Sequence, residues 1–209
     1  MKSDDQNLKT SKRDRIREEI LAAARGIILT QGHEAVTVRS LAAATGYTHT
    51  NLYYYFRDLE SMLGEVRLQM IEAMIRELSP AENPGADPTE AMLDSLWRYV
   101  EYFLSHPTVF RFFYFSPQGQ AFTREQQTDL EARFQGIWQD AFARLIEAGI
   151  VAPDEMEILA RTLIYALQGM ILLNLAAGAP PRTQALREEL RQMLEWLLSC
   201  GQRDQPGRP

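Results

Sequence analysis

Apolar residues recur every three to four positions through most of this 209-residue chain, and that spacing predicts an all-α fold. Two further observations agree. Helix start and stop signals are frequent, from Thr37 and Gly46 near one end to Thr123 and Gly149 near the other, while the alternating β-branched runs of strands are almost missing. The expected architecture is an N-terminal three-helix helix-turn-helix domain (residues 1–62) joined through a fourth helix to a C-terminal helical bundle (residues 63–209). About nine helices are expected in all, followed by a disordered tail.

The elements follow in order. Ser11 with Asp14 resembles a capping box opening the first helix, whose face runs through Ile16, Ile20, Ala23, Ala24, Ile27 and Ile28 until Gly32 stops it. Thr37 caps a short second helix that turns Leu41 and Ala42 inward, and Gly46 stands where a tight turn needs positive φ. Thr48 caps a third helix, His49 to Phe56, with Leu52 and Phe56 on its core side. Asp58 caps a fourth, Glu60 lies in its first turn where the dipole favours an acid, and Met62, Leu63, Val66, Met70 and Met74 keep it amphipathic to about Leu78.

Ser79 to Asp87 is loop by composition. Asp87, Pro88 and Glu90 then supply an N-cap, a first-turn proline and a third-position acid. Leu93, Leu96, Trp97, Val100, Phe103 and Leu104 form the stripe of that helix, and Pro107 ends it. The aromatic segment Val109 to Phe115 is broken at Ser116 to Gly119. Thr123 with Gln126 opens a long helix through Leu130, Phe134, Ile137, Trp138, Phe142, Leu145 and Ile146. Ile158 to Ala179 is apolar almost all round, and Arg187 to Cys200 is amphipathic through Leu190, Met193, Leu194, Leu197 and Leu198. The tail from Gly201 is polar and is expected to be disordered.

Composition bounds the function. With 45% hydrophobic and 24% charged residues the chain reads as a soluble globular protein. A single cysteine, Cys200, cannot form an internal disulfide, and no apolar signal segment opens the sequence, so a cytoplasmic location is expected. Net charge is −6, unevenly spread: residues 1–64 sum to +1 and the remainder to −7. His33, His49 and His106 lack metal-ligand spacing, and no phosphate loop, nucleophile elbow or Cys–His signature appears. The expectation is therefore no enzyme, no metal and no cofactor.

Thr162 to Ala179 has no charge and just reaches the length of a membrane span, but Gln168, Asn174 and two glycines lower its hydrophobicity. A helix apolar on all sides also suits a dimer bundle, which is the expected role, with no membrane. Ala166, Gly169, Met170 and Leu173 on this helix, and Leu190, Leu194 and Leu197 on the last, are the interface candidates.

On the third helix His49, Thr50, Asn51, Tyr53, Tyr54 and Tyr55 have no obvious core duty, and such a set of hydroxyl, amide and aromatic groups suits a DNA groove. Arg39 is placed to reach a guanine edge, and the Thr37 and Thr48 hydroxyls suit phosphate as well as capping. Residues 110–115 hold five aromatics in six positions. Phe110, Phe113 and Tyr114 with Trp97, Phe103, Trp138, Phe142 and Tyr165 are candidates to line a cavity for an apolar or aromatic effector, unidentified in the sequence.

Gly32, Thr37 to Leu41, Ala42, Gly46, the run Leu52-Tyr53-Tyr54-Tyr55-Phe56, and Glu60 with Leu63 give residues 15–63 a specific resemblance to the TetR family of bacterial transcriptional regulators. The resemblance implies a homodimer whose third helices enter the major groove of a palindromic double-stranded operator. It also implies C-terminal helices that enclose a small-molecule pocket and form a four-helix dimer interface, with the fourth helix carrying the ligand signal. Leu59 stands where the family usually has a phosphate-binding lysine, and Arg57 is expected to substitute. Thr50, Tyr55 and Tyr47 replace the usual glycine, histidine and small aliphatic. The function this implies is a ligand-responsive transcriptional regulator, a repressor released by a small effector. The alternative is a DNA-bound protein controlled by a protein partner without a small ligand.

Overall fold

The computed structural model describes residues 2–79, 85–116, 124–178 and 183–203. These form nine α-helices and one 3-10 turn, with no strand among them, so the fold is all-α. The helices are α1 (Lys2–Gln31), α2 (Val38–Thr45), α3 (His49–Tyr55), α4 (Leu59–Leu78), α5 (Pro88–Ser105), α6 (Pro107–Tyr114), α7 (Arg124–Glu147), α8 (Met156–Ala177) and α9 (Thr183–Arg203). The 3-10 turn is His33–Ala35.

Two boundaries differ from the sequence expectation. The first helix begins at Lys2 rather than at Ser11, because no proline or glycine interrupts the preceding residues. The last runs from Thr183 to Arg203, so Gly201 is helical; the rest of the expected disordered tail, 204–209, lies outside the described residues. Thr123, the expected cap of α7, also lies outside them.

The chain divides into two compact units, and the division does not fall at residue 62. One unit holds residues 1–74 and 106–129, the other residues 75–105 and 130–209. The first is discontinuous because α6 packs on α1 and on the 3-10 turn, while α1 also packs on α2 and α3. Its interior contains Ile20, Ala24 and Ile28 from α1, Leu41, Leu52 and Phe56 around the turn, Val66 from α4, and Val109, Phe110 and Phe112 from α6. Thr108 Oγ1 donates to the Leu29 carbonyl at 3.1 Å and ties the start of α6 to the end of α1.

In the second unit α5 packs against α8 and α9. Leu93, Leu96, Val100 and Phe103 of α5 meet an α8 face of Leu159, Leu163, Leu167 and Ile171 and an α9 face of Leu186, Leu190, Leu194 and Leu198 in a common core. Arg191 pairs with Glu90, and Arg187 with Asp94, along the α5–α9 seam. Asp87 Oδ1 accepts from Thr89 N at 3.0 Å and Glu90 N at 3.1 Å, so the start of α5 is capped as its sequence requires.

Candidate nucleic-acid interface

The helix-turn-helix is built from local signals. Thr37 Oγ1 accepts from Ser40 N at 3.0 Å while Thr37 N donates to Ser40 Oγ at 2.9 Å, a reciprocal cap that starts α2. Gly46 ends α2 at φ 75°, its N–H bonded to the Ala42 carbonyl at 2.9 Å. Thr48 Oγ1 then accepts from Asn51 N at 3.3 Å and starts α3. Two residues between Gly46 and His49 therefore suffice to turn the chain, because glycine takes the left-handed conformation without a Cβ penalty.

α3 is held by two side chains and free elsewhere. Leu52 and Phe56 are buried, and the Arg17 guanidinium stacks over the Phe56 ring at 4.7 Å. His49, Thr50 and Asn51 are exposed, and Tyr53 and Tyr54 are 56% and 69% exposed. Tyr55 is half-buried and meets Tyr54 edge-on at 5.1 Å. Arg39 on α2 and Arg57 after α3 are also exposed. Unit 1 thus presents one continuous stretch of chain whose polar and aromatic groups point to solvent, with cations at both ends.

Several residues positioning this surface escaped the sequence reading. The Tyr47 hydroxyl donates to Glu19 Oε2 at 2.6 Å, which fixes the turn to α1 and raises the tyrosine's pKa, the hydrogen bond to Glu19 being the main cause. Arg13 lies over the Tyr54 ring at 5.8 Å. Arg17 is committed to Glu65 as well as to Phe56, and Arg15 faces Glu19 at 3.7 Å. The basic run Lys9 to Arg17 is therefore partly spent on holding α1, α3 and α4 together rather than wholly free for phosphate. Only the Arg15–Glu19 pair, four residues apart, left a local signal in the sequence; the Tyr47–Glu19 and Arg17–Glu65 contacts span 28 and 48 positions.

Arg57 Nε reaches Asp58 Oδ2 at 2.8 Å. Asp58 caps α4 by accepting from Ser61 N at 2.7 Å. The Ser61 backbone N–H first, then Arg57 and the Ser61 hydroxyl, pull its carboxyl from 3.8 down to about 2. Leu59, in the place of the expected lysine, is half-buried at the head of α4.

The expected aromatic set divides between the units. In unit 1, Phe110 and Phe113 are buried and Tyr114 is 40% exposed, its ring 4.9 Å from Phe110. In unit 2, Trp97, Phe103, Trp138 and Phe142 are buried, but Tyr165 is 69% exposed on the outer face of α8 and does not enter that interior. Tyr99 does: it is fully buried, edge-on to Phe103 at 4.9 Å and to Trp138 at 5.3 Å, and its hydroxyl accepts from Gln168 Nε2. The polar Gln168 inside the apolar run of α8 was its only trace in the sequence.

The interface candidates also divide. Leu190 and Leu194 belong to the protomer's own core, because α9 turns that face to α5, so they do not offer surface to a partner. Leu197, Ala166, Gly169 and Met170 are half-buried, and Leu173 is 71% exposed. Ile158, Tyr165 and Leu172 on α8 and Trp196 on α9 are exposed large apolar side chains as well. By length and composition α8 could cross a membrane, with mean hydropathy 1.5, but one such helix is weak support for a span.

The family model described as bacterial regulatory proteins, tetR family, matches residues 20–66, and that described as tetracyclin repressor-like, C-terminal domain, matches residues 93–198. No curated protein matches the sequence. Among solved structures the chain resembles RolR in complex with its ligand resorcinol, at 17% identity and TM-score 0.64, over 94% of this chain and 98% of that one. It resembles PfmR, a TetR-family transcriptional regulator from Thermus thermophilus, at 23% identity and TM-score 0.60, over 86% and 97%. A tetR-family regulator from Streptomyces coelicolor aligns at 17% identity and TM-score 0.65, over 90% and 85%.

Proposed function

The chain belongs to the tetR family of bacterial regulatory proteins, and from that premise we propose that it is a ligand-responsive transcriptional repressor. It works in the cytoplasm, binds a palindromic operator as a homodimer, and leaves it when a small apolar or aromatic effector binds. The observation that carries the reading is the division of labour on α3. Leu52 and Phe56 hold the helix, while His49, Thr50, Asn51, Tyr53 and Tyr54 stay exposed beside Arg39. A helix of this kind offers donors, acceptors and ring faces at base-edge height, and the capped N-termini of α2 and α3 suit the flanking phosphates.

Dimerisation is supported by the exposed apolar face of α8, which a soluble monomer would leave to water. An apolar effector is supported by the buried aromatics and by the aromatic ligand of RolR, a protein of the same fold.

The test is a genomic binding screen followed by gel shifts on the recovered operator. Arg39→Ala is expected to cost ~1–3 kcal/mol and to relax one base position, and Tyr54→Ala to weaken binding. If both variants bind the recovered sites like the wild type, α3 is not the reading helix. Recovery of no sites would remove the regulatory reading itself.

A further inference from the structure

Arg67 is a charge that the reading above leaves unused. It lies on α4, is only 5% exposed, and its guanidinium stacks on the buried Phe112 ring with Cζ 4.8 Å from the centroid. Among the described residues its hydrogen bonds leave through Nη2, to the Phe112 carbonyl at 2.8 Å and the Ser116 carbonyl at 3.5 Å. Nε is buried and has no acceptor. Desolvation lowers its pKa, yet a guanidinium remains charged at any working pH.

The other paired arginines sharpen the contrast. Arg17, Arg187 and Arg191 keep roughly a third or more of their side chains exposed, and each has a carboxylate, Glu65, Asp94 and Glu90 respectively. Arg67 is the most buried of them and has no carboxylate partner among the described residues. Two carbonyl dipoles and a ring face reduce the cost of burying it, but among the described residues they leave a full positive charge and a spare N–H without an anion. The two carbonyls account for Nη2, and the buried Nε is the place where a ligand from outside the chain would complete the group's bonding.

We infer that Arg67 is the anion anchor of the effector site, taking the carboxylate of a small apolar monoacid. One guanidinium balances one negative charge. A phosphate dianion would bring a surplus charge against the fully buried Phe112 ring of α6, the helix whose Val109, Phe110 and Phe113 are buried as well. A carboxylate also matches the planar donor array, and the acid's hydrocarbon or aromatic body suits those side chains. This rests on the ligand-responsive reading and narrows its effector from apolar to apolar and acidic.

The experiment measures the unfolding midpoint of the full-length protein with benzoate, phenylacetate and octanoate at millimolar concentration, against their neutral amides. At least one acid is expected to raise the midpoint where its amide does not. Arg67→Met, close in volume, is expected to weaken that acid by about 10- to 100-fold, the worth of charge-assisted hydrogen bonds, and Arg67→Lys to retain part of the affinity. If Arg67→Met fails to fold, the acid–amide comparison on wild type and the lysine variant decide. Amides equal to acids, no response to any acid, or an unchanged response in Arg67→Met overturns the anchor. A protein released from its operator by neutral aromatics alone loses the anchor and keeps the regulatory role. One that binds no DNA loses the role, whatever the midpoints show.

Discussion

Gly46 and Asp58 bracket α3, and each has a consequence that can be measured. Gly46 sits at φ 75°, and a Cβ added there would meet nothing within 4 Å. The cost of Gly46→Ala is therefore backbone strain without a clash, and it is expected to be ~1 kcal/mol in chemical denaturation. A loss several times larger would mean that the turn cannot relax. Asp58 acts through its charge. Its carboxyl is held at about 2 against an ordinary 3.8, so its contribution is present above the ordinary value and is lost as pH falls through about 2. Between those values the wild type is expected to lose stability faster than Asp58→Asn, which keeps a capping oxygen but cannot titrate. Parallel curves would show that the Ser61 and Arg57 contacts do not set the carboxyl's acidity.

Helices differ in how much of their role their own residues disclose. α2 and α3 were legible because caps, turn and core contacts all lie within a few residues: Thr37 with Ser40, Gly46 with Ala42, Thr48 with Asn51. α6 was legible as a short aromatic segment, but its place beside α1 was not, since Thr108 reaches Leu29 across 79 positions. Tyr99 and Arg67 were missed for the same reason: their partners lie 69 and 45 residues away and leave no periodic trace. α9 shows a subtler limit. Its leucine period announces one apolar face, and nothing local says whether α5 or a second protomer covers it. The structure gives that face to α5 and leaves α8 with exposed Tyr165, Leu172 and Leu173. If the proposed homodimer uses this face of α8, Leu173→Glu is expected to weaken it by about 100-fold or more, because two-fold symmetry would place a like charge on each side of a desolvated contact. Sedimentation of the variant as a stable dimer would place the interface elsewhere.

At the scale of the whole molecule charge is the controlling quantity. A chain of net −6 approaches a polyanion with only residues 1–64 in surplus, by +1. Within that segment Arg17 is committed to Glu65 and Phe56, while Lys12, Arg13, Arg15, Arg39 and Arg57 stay exposed. With about six phosphate contacts per dimer, operator affinity is expected to fall with salt at a log–log slope of about −5. On the proposed reading Arg57 carries the phosphate contact at the head of α4, where Leu59 offers no cation. Its bond to Asp58 does not remove it from this role, since the pair is open to solvent and screened. Arg57→Ala is expected to make the slope shallower by about 2 per dimer, weakening operator and unrelated DNA alike, whereas Arg39→Ala changes the preferred sequence. Fluorescence anisotropy across a potassium chloride series distinguishes the two. An unchanged slope in Arg57→Ala would mean that backbone affinity comes from the α1 cations, which then supply what Leu59 lacks at the head of α4.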